Sequence, residues 1–271
     1  MANRQQILTA EEVVCGYDGR DVLHGVTIAV ARGEFVGLIG PNGSGKSTLL
    51  RALTGILPLR AGAVMLAGQP LASYSRRQIA QRVAVVPQVS GSIFSFTVED
   101  YVLMGRTPHL GRFQAQGPDD LHVAWQAMEL ADLTDLATRP VTELSGGELQ
   151  RATLARAFAQ QTDILLLDEP TAFLDINHQH EIFELLSRFN QEEQKTIVCV
   201  SHDLNLAAQY CQRLIVLSDG RVYTQGSPRT VITAEMIAQV YHAEVQVDTG
   251  PGGAPRVSLV PEMSATEDEQ I

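Results

Sequence analysis

Cysteine is scarce in this sequence of 271 residues, where it occurs only at Cys15, Cys199 and Cys211. The three positions are far apart and form neither a Cys-x-x-Cys pair nor a zinc-binding pattern, so we expect buried, reduced thiols in a cytosolic protein. Long hydrophobic runs are also missing: the longest, such as Ile164–Leu167, fall far short of the ~18–20 residues that a membrane span requires. The polar start of the chain does not look like a secretory signal. We therefore expect a chain that is soluble by itself and serves a membrane only through a partner.

Positive charge is outweighed, since 20 Lys and Arg residues stand against 31 Asp and Glu residues and give a net charge of −11. This balance disfavours broad attraction to nucleic acid or to an anionic lipid surface, and we expect no nucleic-acid partner. The last ten residues are polar and acidic enough to be disordered. The rest of the chain, with 45% hydrophobic residues overall, has the composition of a globular protein that needs no disulfide or structural metal.

Short apolar runs alternate with longer amphipathic stretches along most of the chain. Phe35–Ile39 and Ile164–Leu167 have the composition of buried parallel strands. A helical stripe begins at Lys46 and is expected to end near Pro58. Residues Val13–Val30 look like antiparallel strands. The pattern predicts an α/β fold with a largely parallel sheet and an antiparallel β edge.

The middle and the end of the chain have different patterns. From about Val89 to Arg151 there are helical stretches and loops but little strand pattern, which favours an inserted helical subdomain. Ser218–Gly220 and Thr249–Pro255 are turn signals between short strand-like segments. We expect three parts: a discontinuous α/β core over residues 1–88 and 156–243, a helical subdomain over 89–155, and a C-terminal hairpin with an acidic tail over 244–271.

The segment from Gly40 to Ser47 fits the pattern G-x-x-x-x-G-K-[ST] between a predicted strand and a predicted helix. Its glycines let backbone N–H groups curl into a concave anion nest at the helix N-terminus. Lys46 supplies a positive charge for the β- and γ-phosphates of a nucleotide, and the Ser47 hydroxyl can ligate magnesium. A Gly-rich turn is the alternative, but a chance match in this chain is about one in a hundred. The predicted nucleotide contacts are Gly40, Pro41, Asn42, Gly43, Ser44, Gly45, Lys46, Ser47 and Thr48.

Two carboxylates follow the predicted strand Ile164–Leu167. Asp168 suits the magnesium contact that P-loop NTPases require. Glu169 suits polarising a water in line with the γ-phosphate, as a general base. Alone, the pair has about even odds of being solvated acids at a strand end. The phosphate-binding pattern upstream strongly favours the catalytic interpretation.

A third segment, Leu144–Glu148, predicts a second anion-binding helix start. Ser145 and Glu148 have the spacing of a capping box, so a helix begins here. Gly146 and Gly147 expose N–H groups at its N-terminus. A capped helix with no further role is the alternative. Because one chain has a single phosphate nest, a second such helix start makes sense if it closes over a nucleotide held by another copy.

Together these segments resemble the ATP-binding-cassette (ABC) ATPases, and the resemblance covers roughly Val13 to Val260. The family signature LSGGQ is present as Leu144–Glu148, with Glu148 in place of the usual Gln, a departure that importer subunits also show. The resemblance implies a RecA-like P-loop NTPase core, ATP as substrate and Mg²⁺ as cofactor. It also implies a head-to-tail dimer in which two copies enclose two ATP molecules.

The resemblance also assigns roles to single residues. Tyr17 matches the aromatic residue that stacks on adenine, and an ordinary edge-strand tyrosine is its alternative. Gln88 matches the glutamine that touches magnesium and the attacking water. His202 matches the histidine that contacts the γ-phosphate, with a capping histidine as its alternative, and Asp175 matches the loop that crosses the dimer interface. By this comparison Lys46, Gln88, Glu169 and His202 are catalytic; Ser47, Gln88 and Asp168 hold magnesium; and Ser145, Gly146, Gly147, Glu148 and Asp175 contact the nucleotide of the opposite subunit.

Three further stretches resemble the importer group for iron-siderophores, haem and cobalamin: Met104–Phe113, Ser201–Ala208 and Val231–Thr233. This resemblance implies the motor subunit of a membrane importer. Permease subunits would hold it at the cytoplasmic face of the membrane, and a substrate-binding protein would be an indirect partner. Four apolar residues are expected either to line a groove for a permease helix or to pack in the core: Phe94, Phe96, Tyr101 and Met104.

The pair His178 and His180 invites a metal interpretation. Residues two apart on a helix point to different faces, however, and no set of Cys or carboxylate residues completes a site. We therefore expect these histidines to belong to a solvated helix start.

Other classes of function have their own requirements. A non-transport ABC ATPase of genome maintenance or of the ribosome would usually carry long coiled coils or two cassettes in one chain. A P-loop kinase would need a site for an acceptor substrate. A non-hydrolysing interaction module would be expected to lack Glu169 or His202.

Overall fold

The computed structural model of this chain describes residues 5–88, 95–112 and 114–260. In chain order, the strands are β1 (Gln6–Tyr17), β2 (Arg20–Ala31), β3 (Phe35–Ile39), β4 (Ala61–Leu66), β5 (Gln69–Pro70), β6 (Val83–Val86), β7 (Ile164–Asp168), β8 (Thr196–Val200), β9 (Arg213–Ser218), β10 (Arg221–Gly226), β11 (Val245–Thr249) and β12 (Pro255–Leu259). The α-helices are α1 (Lys46–Leu53), α2 (Arg76–Ala80), α3 (Val98–Leu103), α4 (Pro118–Leu130), α5 (Gly146–Ala159), α6 (Ile176–Glu192), α7 (Leu204–Tyr210), α8 (Pro228–Val231) and α9 (Ala234–Tyr241). Short 3₁₀ helices lie at Leu71–Ser73, Met104–His109, Thr134–Leu136, Val141–Glu143 and Pro251–Gly253.

A six-stranded sheet in the order β10-β9-β3-β8-β7-β6 lies at the centre of the molecule. The strands from β9 to β6 run parallel, and β10 joins β9 as the antiparallel hairpin predicted around Ser218–Gly220. All residues of β3 and β8 are buried, because apolar clusters cover both faces of the sheet. The predicted α/β fold is confirmed. The carboxyl ends of β3, β6, β7 and β8 meet at one edge, where ligands bind in parallel sheets.

A second, antiparallel sheet has the order β2-β1-β4-β5. The predicted antiparallel strands are therefore present, and they form a sheet of their own instead of extending the parallel one. Helix α1 lies between the two sheets, since Leu53 shares an apolar cluster with Val26 of β2 and Val36 of β3. This layer fixes the helix that follows the phosphate-binding segment.

Helix α1 ends earlier than the sequence predicts. Its last residue is Leu53, and Gly55 then adopts a left-handed conformation with φ of +68°, which is a common way for a helix to stop. As a result Ile56, expected in the apolar stripe, is 69% exposed. The predicted end of this helix near Pro58 is therefore wrong.

Helices and 3₁₀ turns make up residues 95–112 and 114–159, where the β-pairing described is the isolated bridge between Thr97 and Pro140. This agrees with the weak strand pattern of the sequence. Helix α5 continues from Gly146 to Ala159 across the predicted boundary at residue 155. The division into a separate helical subdomain stays a prediction.

The 3₁₀ segment around Arg106 ties this helical part together. The buried Arg106 guanidinium donates to the Asp120 carboxylate at 3.0 Å and to the carbonyl of Ala159, at the end of α5, at 2.8 Å. Arg77 of α2 donates to the carbonyl of Pro108 at 2.9 Å. The stretch that resembles the importer group thus connects α2, α4 and the far end of α5.

The C-terminal hairpin of β11 and β12 lies on α7. The Asn205 side chain accepts from the Val257 N–H at 2.7 Å and donates to the Val257 carbonyl at 3.2 Å. The predicted turn between Thr249 and Pro255 is present as a 3₁₀ turn. The predicted acidic tail from residue 262 lies outside the described residues.

The three cysteines are buried free thiols, as predicted. Burial raises the pKa of Cys199 and Cys211 well above the usual range, which keeps both protonated. Within the described ranges, every helix is too short or too polar to cross a bilayer.

Candidate functional site

The loop from Gly40 to Gly45 joins the carboxyl end of β3 to the N-terminus of α1. The Lys46 ammonium donates to the carbonyls of Gly40 and Pro41, both at 2.8 Å, so its side chain folds back over the loop. Burial lowers the pKa of Lys46, and the nearby carboxylates of Glu169 and Asp168 act in the opposite direction. The loop, the lysine and two acids are thereby gathered at one place.

Two glycines of this loop are required by its geometry. Gly40 has φ of +148°, and a Cβ at this position would lie 2.1 Å from the carbonyl oxygen of Leu217. Gly45, which precedes α1, has φ of +102°, and its Cβ would lie 2.7 Å from the Leu23 side chain. Since L-residues with a side chain avoid such backbone angles, another residue at either position would open the loop.

The Ser44 hydroxyl is buried and has no hydrogen-bond partner among the described residues. An unpartnered buried hydroxyl costs about 1–3 kcal/mol, so a ligand that satisfies it stabilises the loop. The first N–H groups of α1 also lack intrahelical acceptors, as at every helix start. A hydroxyl, free N–H groups and an ammonium facing one concave loop fit the phosphates of a nucleotide.

The Ser47 hydroxyl and the Asp168 carboxylate lie side by side at this edge. Ser47 Oγ donates to Asp168 Oδ1 at 2.9 Å, which joins the first turn of α1 to the end of β7. Burial raises the pKa of Asp168, whereas the hydrogen bond from Ser47 lowers it. The described residues contain no cluster of three or more His, Cys, Asp or Glu side chains that could hold a metal ion without a ligand. A hydroxyl and one carboxylate fit Mg²⁺, which usually takes its remaining oxygens from phosphates and water.

Glu169 stands at the centre of the predicted catalytic residues. It follows β7 in a left-handed conformation with φ of +54°. Its two oxygens are near different partners: Gln88 Nε2 donates to Oε2 at 3.2 Å, and His202 Nε2 lies 2.5 Å from Oε1. The structure therefore brings together Gln88, Glu169 and His202 from the ends of three neighbouring strands.

Tyr17 lies at the end of β1 with 39% of its surface exposed. Arg51 of α1 donates to its hydroxyl at 2.8 Å and lies 6.0 Å from the centre of its ring. An exposed ring that contacts the last turn of α1 is available for stacking on a base. Arg51 is not among the residues predicted for the site, and its only signal in the sequence is a basic residue on the exposed face of the helix that begins at Lys46.

The Ser145–Glu148 turn has the capping box that the sequence predicts. Glu148 accepts from the Ser145 N–H at 2.7 Å, and the Ser145 hydroxyl accepts from the Glu148 N–H at 3.3 Å. The hydrogen bond from the Ser145 N–H to the carboxylate is the main reason that the pKa of Glu148 is lowered. Within the described part of the chain, no hydrogen bond joins this turn to the loop of Gly40–Gly45. Its glycines lie against Leu174 and His178, and its Glu148 carboxylate lies 3.8 Å from the Arg139 guanidinium.

The predicted role of Asp175 in a dimer interface stays a prediction, and its place in this chain is at the start of α6. Its carboxylate accepts from the His178 N–H at 2.9 Å and lies 2.8 Å from His178 Nδ1. His180 contacts the Tyr210 hydroxyl at 2.7 Å. Both histidines stay in contact with solvent, as expected for this helix start: His180 is exposed, and 37% of the His178 side chain is exposed. Each also has a partner within the chain that the sequence did not predict, and the two partners lie on different elements.

The predicted permease groove is described in part. Phe94 lies outside the described residues, as does Phe113 of the motif that resembles the importer group. Tyr101 packs against α5, where it contacts Thr153 and the guanidinium of Arg156, which favours the core alternative for this residue.

Comparisons with known proteins show the family to which this sequence and fold are similar. Residues 23–172 match the family model described as "ABC transporter". The cobalamin import ATP-binding protein of Halobacterium salinarum is 44% identical over 256 residues, which cover 93% of this chain and 64% of that protein. The ferric enterobactin transport ATP-binding protein of Escherichia coli is 39% identical over 251 residues, which cover 92% of this chain and 93% of that protein. This chain thus spans less than two thirds of the Halobacterium relative and nearly all of the Escherichia one.

A solved structure gives the same result for the fold. It is that of a protein assigned to the metal-chelate type of ABC transporter, in an inward-facing conformation. It matches with a TM-score of 0.83 and 29% sequence identity over 94% of this chain and 98% of that chain.

Proposed function

Because this chain belongs to the ABC transporter family, we propose that it is the ATP-hydrolysing motor subunit of a membrane importer for a metal chelate. The observation that carries this proposal is the convergence of Gln88 and His202 on Glu169, beside Asp168 and the loop that holds Lys46. A binding module without hydrolysis has no need of a carboxylate held in this way.

Each residue has a task in this proposal. The Gly40–Gly45 loop and Lys46 bind the β- and γ-phosphates of ATP, and Tyr17 stacks on the adenine. Glu169 accepts a proton from the water that attacks the γ-phosphate, while Gln88 and His202 orient the carboxylate and the phosphate. Mg²⁺, held by Ser47 and Asp168 with Gln88 nearby, would neutralise charge on the phosphates when bound.

The catalytic site is completed by a second copy in this proposal. The Ser145–Glu148 turn is a capped helix start whose Gly146 is exposed, and helix starts attract anions. In a head-to-tail pair, the turn of one copy closes over the ATP in the loop of the other. The phosphate charge then draws the copies together, and hydrolysis releases them.

Permease subunits are the proposed partners at the membrane. An apolar cavity of about 250 Å³ lies between the end of α1, α2 and β6, and exposed Ile56 and Val85 line it. Strand β6 leads directly to Gln88. Movement of a permease helix bound there would be transmitted through β6 to Gln88 in the catalytic site. Binding to the permease would also hold the chain at the cytoplasmic face of the membrane.

The cargo is proposed to be an iron-siderophore, haem or cobalamin-type chelate, because relatives are named for cobalamin import, ferric enterobactin transport and hemin import. A substrate-binding protein would deliver it to the permease, without touching this chain. No observation in the described residues favours the alternative, a non-transport ABC ATPase.

Uptake measurements test the proposed function. Deleting the gene should abolish uptake of one of three labelled cargoes, and the wild-type chain should restore it. The Glu169→Gln variant, present at the same level, should bind ATP but restore no uptake. Unchanged uptake of every chelate in the deletion strain, together with a defect in DNA repair or translation, would overturn the importer proposal in favour of the alternative.

A further inference from the structure

His178 links the Ser145–Glu148 turn to Asp175, and both are predicted to contact the nucleotide of the opposite subunit. Asp175 Oδ1 accepts from the His178 N–H at 2.9 Å and lies 2.8 Å from His178 Nδ1. Since an ionised carboxylate only accepts, Nδ1 carries a proton in this contact. Asp175 Oδ1 therefore holds both the backbone N–H and the imidazole of His178 at the start of α6.

The other edge of the imidazole lies across Gly147. A Cβ at Gly147 would lie 2.3 Å from His178 Cδ2 and 2.9 Å from His178 Nε2. Heavy atoms do not approach so closely, so the ring occupies the space that a side chain at Gly147 would need. Gly147 is buried by this contact, although it stands at the start of a helix.

Two further contacts extend along the same line. Leu174 Cδ2 lies 3.6 Å from the position of a Cβ at Gly146. One turn along each helix, Arg151 of α5 lies 3.3 Å from Glu181 of α6. Gly146 and Gly147 of the Ser145–Glu148 turn thus contact the segment Leu174–His178 of the same chain. The ion pair between Arg151 and Glu181 fixes the position of α5 relative to α6.

The outer side of this assembly is open. Phe173 is 93% exposed and Ile176 is 84% exposed, on either side of Leu174 and Asp175. Gly146 is exposed as well. Apolar side chains of this size are seldom left in solvent next to each other unless a partner covers them. The His178 side chain is less exposed, at 37%, because Asp175 and Gly147 lie against its ring.

From these contacts we propose that His178 is a positioning residue, which holds the Asp175 segment against the Ser145–Glu148 turn so that both reach the nucleotide of a second copy as one rigid surface. The inference rests on the proposed head-to-tail pairing. In this proposal His178 contacts neither the nucleotide nor the water that attacks the γ-phosphate. It also explains why this chain has glycine at position 147 whatever the ligand requires, because any Cβ there would displace the ring.

The first test examines the contact in the isolated chain. Hydrogen exchange of the 145–149 amides should become about tenfold faster in His178→Ala than in the wild type, since local opening becomes easier. His180→Ala is the matched control, because His180 lies on the same helix and binds Tyr210 instead. Equal exchange in the two variants would overturn the inference, whether or not the chain pairs.

The second test examines the function of the contact. In a Glu169→Gln background, His178→Ala should weaken ATP-driven pairing by about tenfold, an effect of ~1.4 kcal/mol, while ATP binding to the separate chain stays unchanged. Gly147→Ala should weaken pairing as well, and the double variant should be no weaker than His178→Ala alone, because both act through one contact. Additive losses, or pairing unaffected by His178→Ala, would contradict the positioning role. If Glu169→Gln itself fails to pair with ATP, the proposed function is refuted and the role of His178 falls with it.

Discussion

Replacing Arg106 by Met should destabilise this protein strongly, because the residue is 8% exposed and its guanidinium donates to three acceptors. It lies 3.0 Å from Asp120, 2.8 Å from the carbonyl of Ala159 and 2.9 Å from the side chain of Gln161. Met keeps much of the volume and removes every donor. The buried Asp120 carboxylate would then keep the hydrogen bond from the Gly117 N–H at the start of α4 but lose the Arg106 guanidinium.

The expected loss follows from these contacts. Removing one partner of a buried ion pair costs about 3–5 kcal/mol, since the other charge stays buried. For a chain of this size, 1 kcal/mol lowers Tm by about 2–4 °C, so Arg106→Met should lower Tm by about 6–20 °C. The measurement is thermal unfolding followed by circular dichroism, with urea unfolding to obtain the free energy.

The control is an ion pair of the same type on the surface. Arg32 lies 3.3 Å from Asp163, and both side chains are about half exposed. Arg32→Met should change the free energy of unfolding by less than about 1 kcal/mol. If Arg106→Met cost no more than Arg32→Met, the segment around Arg106 would not be the structural joint that the contacts indicate.

Three further predictions concern the nucleotide site. Gly40→Ala should weaken ATP binding by at least about tenfold, because its Cβ would overlap the Leu217 carbonyl and its φ of +148° strains an alanine by ~1–3 kcal/mol; unchanged affinity in a fluorescent-nucleotide titration would refute this. Asp168→Asn should abolish hydrolysis and raise Tm at neutral pH, since burial raises the Asp168 pKa and the ionised form therefore opposes folding. That gain should disappear in acid, where the aspartate is protonated in both states, and a gain that is equal at both pH values would contradict the assignment. Arg51→Ala should weaken ATP binding less than Tyr17→Ala does, because the arginine only orients the ring that stacks; a titration in which Arg51→Ala costs more would show a direct contact instead.

Hydrophobic pattern and local motifs predicted most of the architecture. The buried runs of β3 and β7 are recognisable because strands covered on both faces need continuous apolar residues. The capping box at Ser145 is local, so its two hydrogen bonds follow from spacing alone. The predicted end of α1 is wrong because the apolar pattern continues to Ile56, whereas the helix ends at Leu53 and the chain turns at Gly55.

Contacts between distant segments could not be predicted from the sequence. His178 gave no signal beyond its spacing from His180, since its packing on Gly147 depends on how α5 and α6 meet. Arg106 likewise looks like any surface arginine until α4 and α5 enclose it. In the site, the order of motifs predicted which residues belong together, but the orientation of Glu169 between its two partners required the fold.

The mass of the Glu169→Gln variant with ATP tests most directly whether one copy holds only half of each catalytic site. Light scattering after size exclusion should give a mass about twice the 29.5 kDa of a single chain with ATP, and the single-chain mass with ADP or without nucleotide. Ser145→Arg in the same Glu169→Gln chain blocks the Ser145–Glu148 turn without changing the Gly40–Gly45 loop. It should abolish pairing while ATP still binds. Two results together would contradict the account: Glu169→Gln keeps the single-chain mass with ATP, and Ser145→Arg in the otherwise wild-type chain hydrolyses ATP as fast as the wild type.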